Sequence, residues 1–244
     1  MIVSAKTDVG LKRSTNQDSF NFGQLEKGAV TWAVVCDGMG GMAAGNVASA
    51  TAVEVISASF ENNLSPKSNG SFVRNLLKSS IESANAKIYS MASSNEDLHG
   101  MGTTVVAVII IKGVAYIAHA GDSRAYHYSN DHFLQVTTDH SVVQTLVEKG
   151  QITADEAKNH PNKNVITRAL GVAPYIDIDF EEREVLEGDT VLLCTDGLTN
   201  CIDDDLMKLA STDNDFPSLA ERLVELANQN GGNDNITVVA VKIQ

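Results

Sequence analysis

Apolar side chains fall along this chain in two rhythms. Runs rich in β-branched residues at Ile2 to Val9, Ala29 to Cys36, Thr103 to Ile111, Val114 to Ala120, Val191 to Cys194 and Ile236 to Ile243 predict strands at both ends of the sequence. Ala43 to Phe60 sets Val47, Ala50, Val53, Ile56 and Phe60 near helical spacing, and Phe72 to Ala92 repeats the pattern with Leu76, Ile81, Ala84 and Ile88. These are two amphipathic helices joined by a Ser/Asn/Pro/Gly linker over residues 62–70. The run Gly113 to Tyr128 follows the preceding strand too closely for a helical crossover, so an antiparallel meander is expected. Residues 140–168 are polar apart from one helix-like piece, Val142 to Lys149, and read as a surface flap. Leu206 to Ala210 and Leu219 to Asn228 read as helices, and Asn230-Gly231-Gly232-Asn233 as a turn into the last strand. With no repeat and no linker between units, residues 1–244 are expected to form one α+β domain.

Composition narrows the function classes. Among 244 residues, 18 Lys and Arg face 31 Asp and Glu, and a net charge of −13 argues against a nucleic-acid surface. The longest aliphatic run, Val105 to Ile111, falls far short of the roughly 20 residues that span a bilayer, so no membrane partner is expected. The opening MIVSAKTDVG has no basic stretch followed by an apolar one, and a cytoplasmic location is expected. Cys36, Cys194 and Cys201 fit neither a disulfide framework nor a zinc ribbon and read as inert thiols.

Aspartate outnumbers glutamate 18 to 13, and several aspartates stand where an apolar run stops. Trp32 to Cys36 ends in Asp37-Gly38, and Val191 to Thr195 ends in Asp196-Gly197. Such a pair can offer a carboxylate and an accessible backbone oxygen to a cation. Asp18, Asp122 and Asp234 sit at similar junctions. Carboxylates converging to about 5 Å would repel by roughly 3 kcal/mol per pair at an effective dielectric of 20, so such a cluster demands cations or protons. No His or Cys lies at zinc-ligand spacing, which favours Mg²⁺ or Mn²⁺ in an oxygen-rich site. Two such ions sharing a carboxylate are a device for phosphoryl transfer.

Eight segments then occur in a recognisable order: GLKRSTNQDS (10–19), VVCDGMGG (34–41), MGTTVV (101–106), HAGDSRAY (119–126), TTDHS (137–141), ITRALG (166–171), LLCTDGLTN (192–200) and GGNDNITVVAV (231–241). Over nearly its whole length the chain resembles bacterial metal-dependent Ser/Thr protein phosphatases of the type 2C class, the PPM family. The resemblance implies a four-layer α-β-β-α sandwich, two antiparallel sheets flanked by helix pairs, with a binuclear Mn²⁺ or Mg²⁺ centre at one end. It implies that Asp37 bridges both ions, that Gly38 gives its carbonyl to one, and that Asp196 and Asp234 complete the other. Asp18 would act through metal-bound water, Asp122 with Asp196 would form a weaker third site, and Arg13 would grip the substrate phosphate. Water bridging the metals would attack phosphorus without a phosphoenzyme intermediate, and no Cys-x5-Arg loop is present to suggest otherwise.

One departure stands out. Bacterial relatives commonly carry His directly after DGMGG, and eukaryotic ones carry it two positions after the bridging Asp. Met42 and Met39 occupy those positions here, and neither donates a proton. His119 and His140 read as structural, and Thr103, Thr104 and Ser123 as hydrogen-bonding supports. The expected partners are phosphorylated proteins, substrates of a Ser/Thr kinase, met by a monomer. A dedicated phosphatase of one partner, of the anti-sigma-factor-antagonist kind, and a non-catalytic binding module are the alternatives. A two-metal nuclease would need the basic track this chain lacks.

Overall fold

The computed structural model describes residues 1–40, 44–130, 132–211 and 215–244; Met42 lies outside them. The chain opens with β1 (Ile2–Asp8), β2 (Asp18–Leu25) and β3 (Val30–Met39), then two long helices, α1 (Ala44–Asn63) and α2 (Gly70–Ser94). The Asn69 side chain accepts from Phe72 N at 2.9 Å and so caps α2 where the linker ends. There follow β4 (Gly102–Thr103), β5 (Val105–Ile111), β6 (Val114–Ala120), β7 (Arg124–Ser129) and β8 (His132–Gln135). Next come α3 (Val142–Glu148), α4 (Ala154–Lys158), β9 (Asp179–Glu184), β10 (Thr190–Cys194) and α5 (Asp196–Thr199). The chain closes with α6 (Asp204–Ser211), α7 (Leu219–Gln229) and β11 (Ile236–Lys242).

Two antiparallel sheets result, in the orders β1-β11-β10-β7-β8 and β2-β3-β5-β6-β9, with β4 attached to β3. Alternation along each strand sorts the core into three apolar layers. Val30, Trp32, Val34 and Cys36 of β3 face α1 and α2, while Ala33 and Val35 face the other sheet. In β11, Val239 and Val241 face inward between the sheets, and Ile236, Val238 and Ala240 meet α7. The central strands β3, β5 and β11 are thus buried on both faces along most of their length, which is why they appear in the sequence as nearly continuous apolar runs. The expected sandwich is present.

β2, β8 and β9, which the hydrophobic rhythm did not predict, are sheet edges. The sequence DFEERE of β9 carries the charges that keep an edge from pairing further. Cys36 and Cys194 are buried, and burial pushes both thiols up; Cys201 is half-buried. Among the described residues no helix is long and apolar enough to cross a membrane.

Candidate functional site

Antiparallel pairing brings acids from distant segments to one end of the sandwich. Asp18, first in β2, is the register partner of Asp37 near the end of β3. Val105 pairs with Ala120, so the turn after β6 carries Asp122 to the same end. Across the sandwich, Cys194 at the end of β10 pairs with Val238 near the start of β11, which brings Asp196 and Asp234 together. Asp37, Asp122, Asp196, Asp234 and Arg13 line one cleft of about 280 Å³. Asp18 lies deeper and is 8% exposed. Two positions differ from the strand-end expectation. β3 continues past Asp37 to Met39, and Asp196 is the first residue of the one-turn helix α5.

The glycines after Asp37 and Asp196 are required by close backbone approach. A Cβ on Gly38 would lie 2.1 Å from the Gly45 carbonyl oxygen, and one on Gly197 would lie 1.9 Å from that of Asn235. The neighbouring backbone therefore packs against each Asp-Gly pair where a side chain would stand.

Burial dominates the electrostatics and mutual repulsion adds to it. Desolvation, with the charges of neighbouring acids, pushes the Asp18 and Asp122 carboxyls each up to about 7. Asp37 is held well above the usual carboxylate range by burial first and then by Asp18, Asp196, Asp122 and Asp234; Asp196 is raised by burial and Asp234. The cluster therefore has a strong affinity for protons or cations near neutral pH. One atom points to the cation. Asp18 Oδ2 accepts from Thr195 Oγ1 at 2.9 Å and Thr237 Oγ1 at 2.7 Å, whereas Asp18 Oδ1 is buried with no hydrogen-bond partner among the described residues. A buried carboxylate oxygen left unmatched fits a partner supplied from outside the protein. Five carboxylates and one guanidinium leave four formal negative charges, which two divalent ions would balance. Their oxygen-only donor set suits a hard cation.

Several supports were not legible in advance. Asn235 is buried; its side chain accepts from Gln17 N at 2.8 Å and donates to the Val9 and Thr15 carbonyls, each at 2.9 Å. It thereby clamps the loop that carries Arg13, whose Nη2 meets Asp234 Oδ2 at 2.7 Å. Asn200 Nδ2 donates to Asp196 Oδ2 at 3.0 Å. Thr103, Thr104 and Ser123, by contrast, are the hydrogen-bonding supports expected from the sequence: Thr104 Oγ1 accepts from Asp37 N at 3.0 Å and bonds Ser123 Oγ at 2.7 Å, and Thr103 Oγ1 donates to the Asp37 carbonyl. Asn164 and Ile166 reach the cleft from the 140–168 segment, and Met39 lines it from β3. Only the topology makes Asn164 and Ile166 neighbours of the acids, whereas Met39 stands two residues from Asp37 in the chain.

His119, His140 and Asp179 form a second group whose ligand atoms lie within 4.8 Å of one another. It already contains a cation: Arg168 Nη1 donates to Asp179 Oδ1 at 2.6 Å. Gly121 N donates to His140 Nδ1 at 3.1 Å, so Nε2 carries the proton and donates to Asp179 Oδ2. The stacked rings of His119 and His140 are both shifted down by burial and stay neutral at pH 7. Their role is to join the base of the 140–168 segment to the sheet.

Residues 12–239 match the family described as Protein phosphatase 2C. A Listeria innocua protein named serine/threonine phosphatase stp is 38% identical over 239 residues, covering 97% of this chain and 94% of its own. The solved Streptococcus agalactiae serine/threonine phosphatase superposes with a TM-score of 0.92 at 37% identity, covering 100% of this chain and 99% of that one. The catalytic domain of the serine threonine protein phosphatase PstP, solved in complex with two manganese ions, gives a TM-score of 0.85 at 34% identity, covering 100% and 98%.

Proposed function

The chain belongs to the protein phosphatase 2C family and is a serine/threonine protein phosphatase, and from its cleft we propose how it acts. The proposed substrates are phosphoserine and phosphothreonine residues placed on proteins by a Ser/Thr kinase. Residues 1–244 act as one catalytic domain, with the 140–168 segment as its flap. Asp37, Asp196, Asp234 and the Gly38 carbonyl would hold two Mn²⁺ or Mg²⁺ ions, with Asp18 acting through water and Asp122 with Asp196 forming a third, weaker position. When bound, divalent ions supply a water of lowered pKa and neutralise phosphate charge.

The chain's own residues do the rest. Arg13 can swing its planar guanidinium from Asp234 to two phosphate oxygens, a bidentate fit that orients the ester. Thr195 and Thr237 hold Asp18 in one rotamer, and the Thr104–Ser123 pair fixes the backbone of Asp37, so the acids keep their positions as charge shifts during reaction. His119 and His140 are neutral and engaged, so neither serves as a ready proton donor to the leaving oxygen. A single observation carries this reading: the unmatched buried Asp18 Oδ1 within a cluster of raised carboxyls. Hydrolysis of an aryl phosphate and of a phosphothreonine peptide with Mn²⁺, EDTA and Asp37→Ala tests it. Turnover should require Mn²⁺ and fall at least about a thousandfold in the variant; metal-independent turnover, or a variant as active as the parent, would refute the site.

A further inference from the structure

Beside the acidic cleft the chain builds an apolar ledge that the proposed chemistry does not use. Residues 169–173 run along β4, where Leu170 and Thr103 exchange backbone hydrogen bonds at 2.8 and 3.1 Å. From the other side, the Asn85 amide of α2 holds the same segment at two points. It accepts from Gly171 N at 2.8 Å and donates to the Ala173 carbonyl at 3.0 Å. Asn85 is 1% exposed, so a fully buried polar side chain is committed to fixing this backbone. Gly171 adopts φ +83°, and a Cβ there would lie 2.2 Å from Ile88 Cγ2, so helix α2 closes directly on the turn.

The consequence of this fixing is that Val172 points outward, 57% exposed. It is not an isolated apolar side chain. Val172 Cγ2 and Met39 Cε lie 3.4 and 3.1 Å from the place a Gly102 Cβ would occupy, so the two side chains are neighbours; the Leu170 carbonyl oxygen, 2.9 Å from the same place, is already engaged by Thr103 N. Met39 in turn lines the metal cleft beside Asp37 and Gly38. The ledge is therefore continuous with the wall of the site. A β-branched side chain on a pinned backbone has little freedom to lose when it is covered, which favours its use as a contact.

We propose that Val172 and Met39 select the residue flanking the phosphoserine or phosphothreonine, and that the preferred residue there is aliphatic. The inference rests on the phosphatase reading. With the phosphate held against Arg13 and the acids, the peptide leaves the cleft across its wall, and the next residue, one 3.8 Å Cα step away, is the one that can reach the ledge. Leucine there covers Val172 and the Met39 methyl, whereas asparagine of similar size must give up water without a new hydrogen bond.

The test compares phosphothreonine peptides that carry Leu or Asn on the N-terminal side, and separately on the C-terminal side, of the phosphoresidue, with an aryl phosphate run in parallel. In Mn²⁺, the Leu peptide should exceed the Asn peptide about fivefold in kcat/KM on one side, less than the 10- to 200-fold that about one methylene commands in an enclosed pocket. The ratio should fall below about twofold in Val172→Asn and take an intermediate value in Val172→Thr, which keeps the side-chain shape. Because each ratio is taken within one enzyme, a general loss of activity cancels. Peptide turnover with Leu/Asn ratios near one on both sides would overturn the ledge and leave the phosphatase standing. An unchanged ratio in Val172→Asn would remove Val172 from the selection. No Mn²⁺-dependent turnover of any peptide or of the aryl phosphate would overturn both readings.

Discussion

Replacing Asp18 by Asn should stabilise the metal-free protein and at the same time weaken its hold on Mn²⁺. The Asp18 carboxyl is buried among other acids and is pushed up to about 7, whereas an unfolded chain holds aspartate at about 3.9. The folded metal-free state thus binds this proton more tightly. Its contribution to stability is fully present below about pH 3.9 and is lost as pH rises to about 7. Three pH units at about 1.4 kcal/mol each amount to about 4 kcal/mol at pH 8. Asn carries no charge and can keep its oxygen against Thr195 and Thr237, but its amide then stands where Oδ1 has no partner, at a cost of about 1–2 kcal/mol. In EDTA at pH 8 the variant should therefore be more stable by about 2 kcal/mol, with the difference near zero at pH 5. Burial lowers the pKa of His119 and His140, so their contribution is present above about 6.5 and lost as pH falls, in both proteins alike, and it cancels in the difference. Saturating Mn²⁺ at pH 8 should reverse the order, because only the parent gains the full binding energy. Urea midpoints at the two pH values, with and without metal, measure all of this. A variant less stable than the parent in EDTA at pH 8 would refute the claim that ionised Asp18 strains the metal-free fold.

Gly38→Ala would place a methyl 2.1 Å from the Gly45 carbonyl oxygen and 2.6 Å from that of Gln17, both backbone atoms that cannot step aside. It should cost at least about 3 kcal/mol in urea unfolding and abolish Mn²⁺-dependent turnover; a loss under about 1 kcal/mol would show that the approach can relax. Arg13→Lys keeps the charge but loses the planar fork, and should raise KM for a phosphopeptide about tenfold with a smaller change in kcat. Unchanged steady-state constants would remove Arg13 from phosphate binding.

The legible part of the sequence is the part where one local rule suffices. β3, β5 and β11 announce themselves because burial on both faces leaves few polar positions, and α1 and α2 because one face meets a sheet. β2 escapes because an edge strand alternates only weakly: its Phe20 is half-buried against the sheet interface while Phe22 is 40% exposed. The aspartates are individually visible at the ends of apolar runs, yet nothing local shows that Asp18 opposes Asp37, since that depends on the β2–β3 register. Asn235 and Val172 are harder still. A buried clamp and an exposed ledge use ordinary residue types, and their meaning lies in which backbone each one faces.

At the proposed metal site, the register would also make metal loading and sandwich packing a single equilibrium. Asp18 starts a strand of one sheet, yet the hydroxyls that hold it, from Thr195 and Thr237, belong to the other side of the sandwich. Thr237 Oγ1 also bonds Thr7 Oγ1 on β1 at 2.7 Å, and Thr237 N donates to Thr195 Oγ1 at 3.0 Å. A chain of short polar contacts thus runs from the far strand to the carboxylate, at the one end where the apolar layer between the sheets gives way to acids. In the metal-free protein the repulsion of these acids opposes the packing that draws the sheets together. A cation bound at the proposed site would remove that opposition, and since it would favour only the folded arrangement it would add stability in proportion to the logarithm of its concentration. The residues that bring the chemistry together are therefore also the residues whose mutual repulsion weakens the fold in the absence of metal.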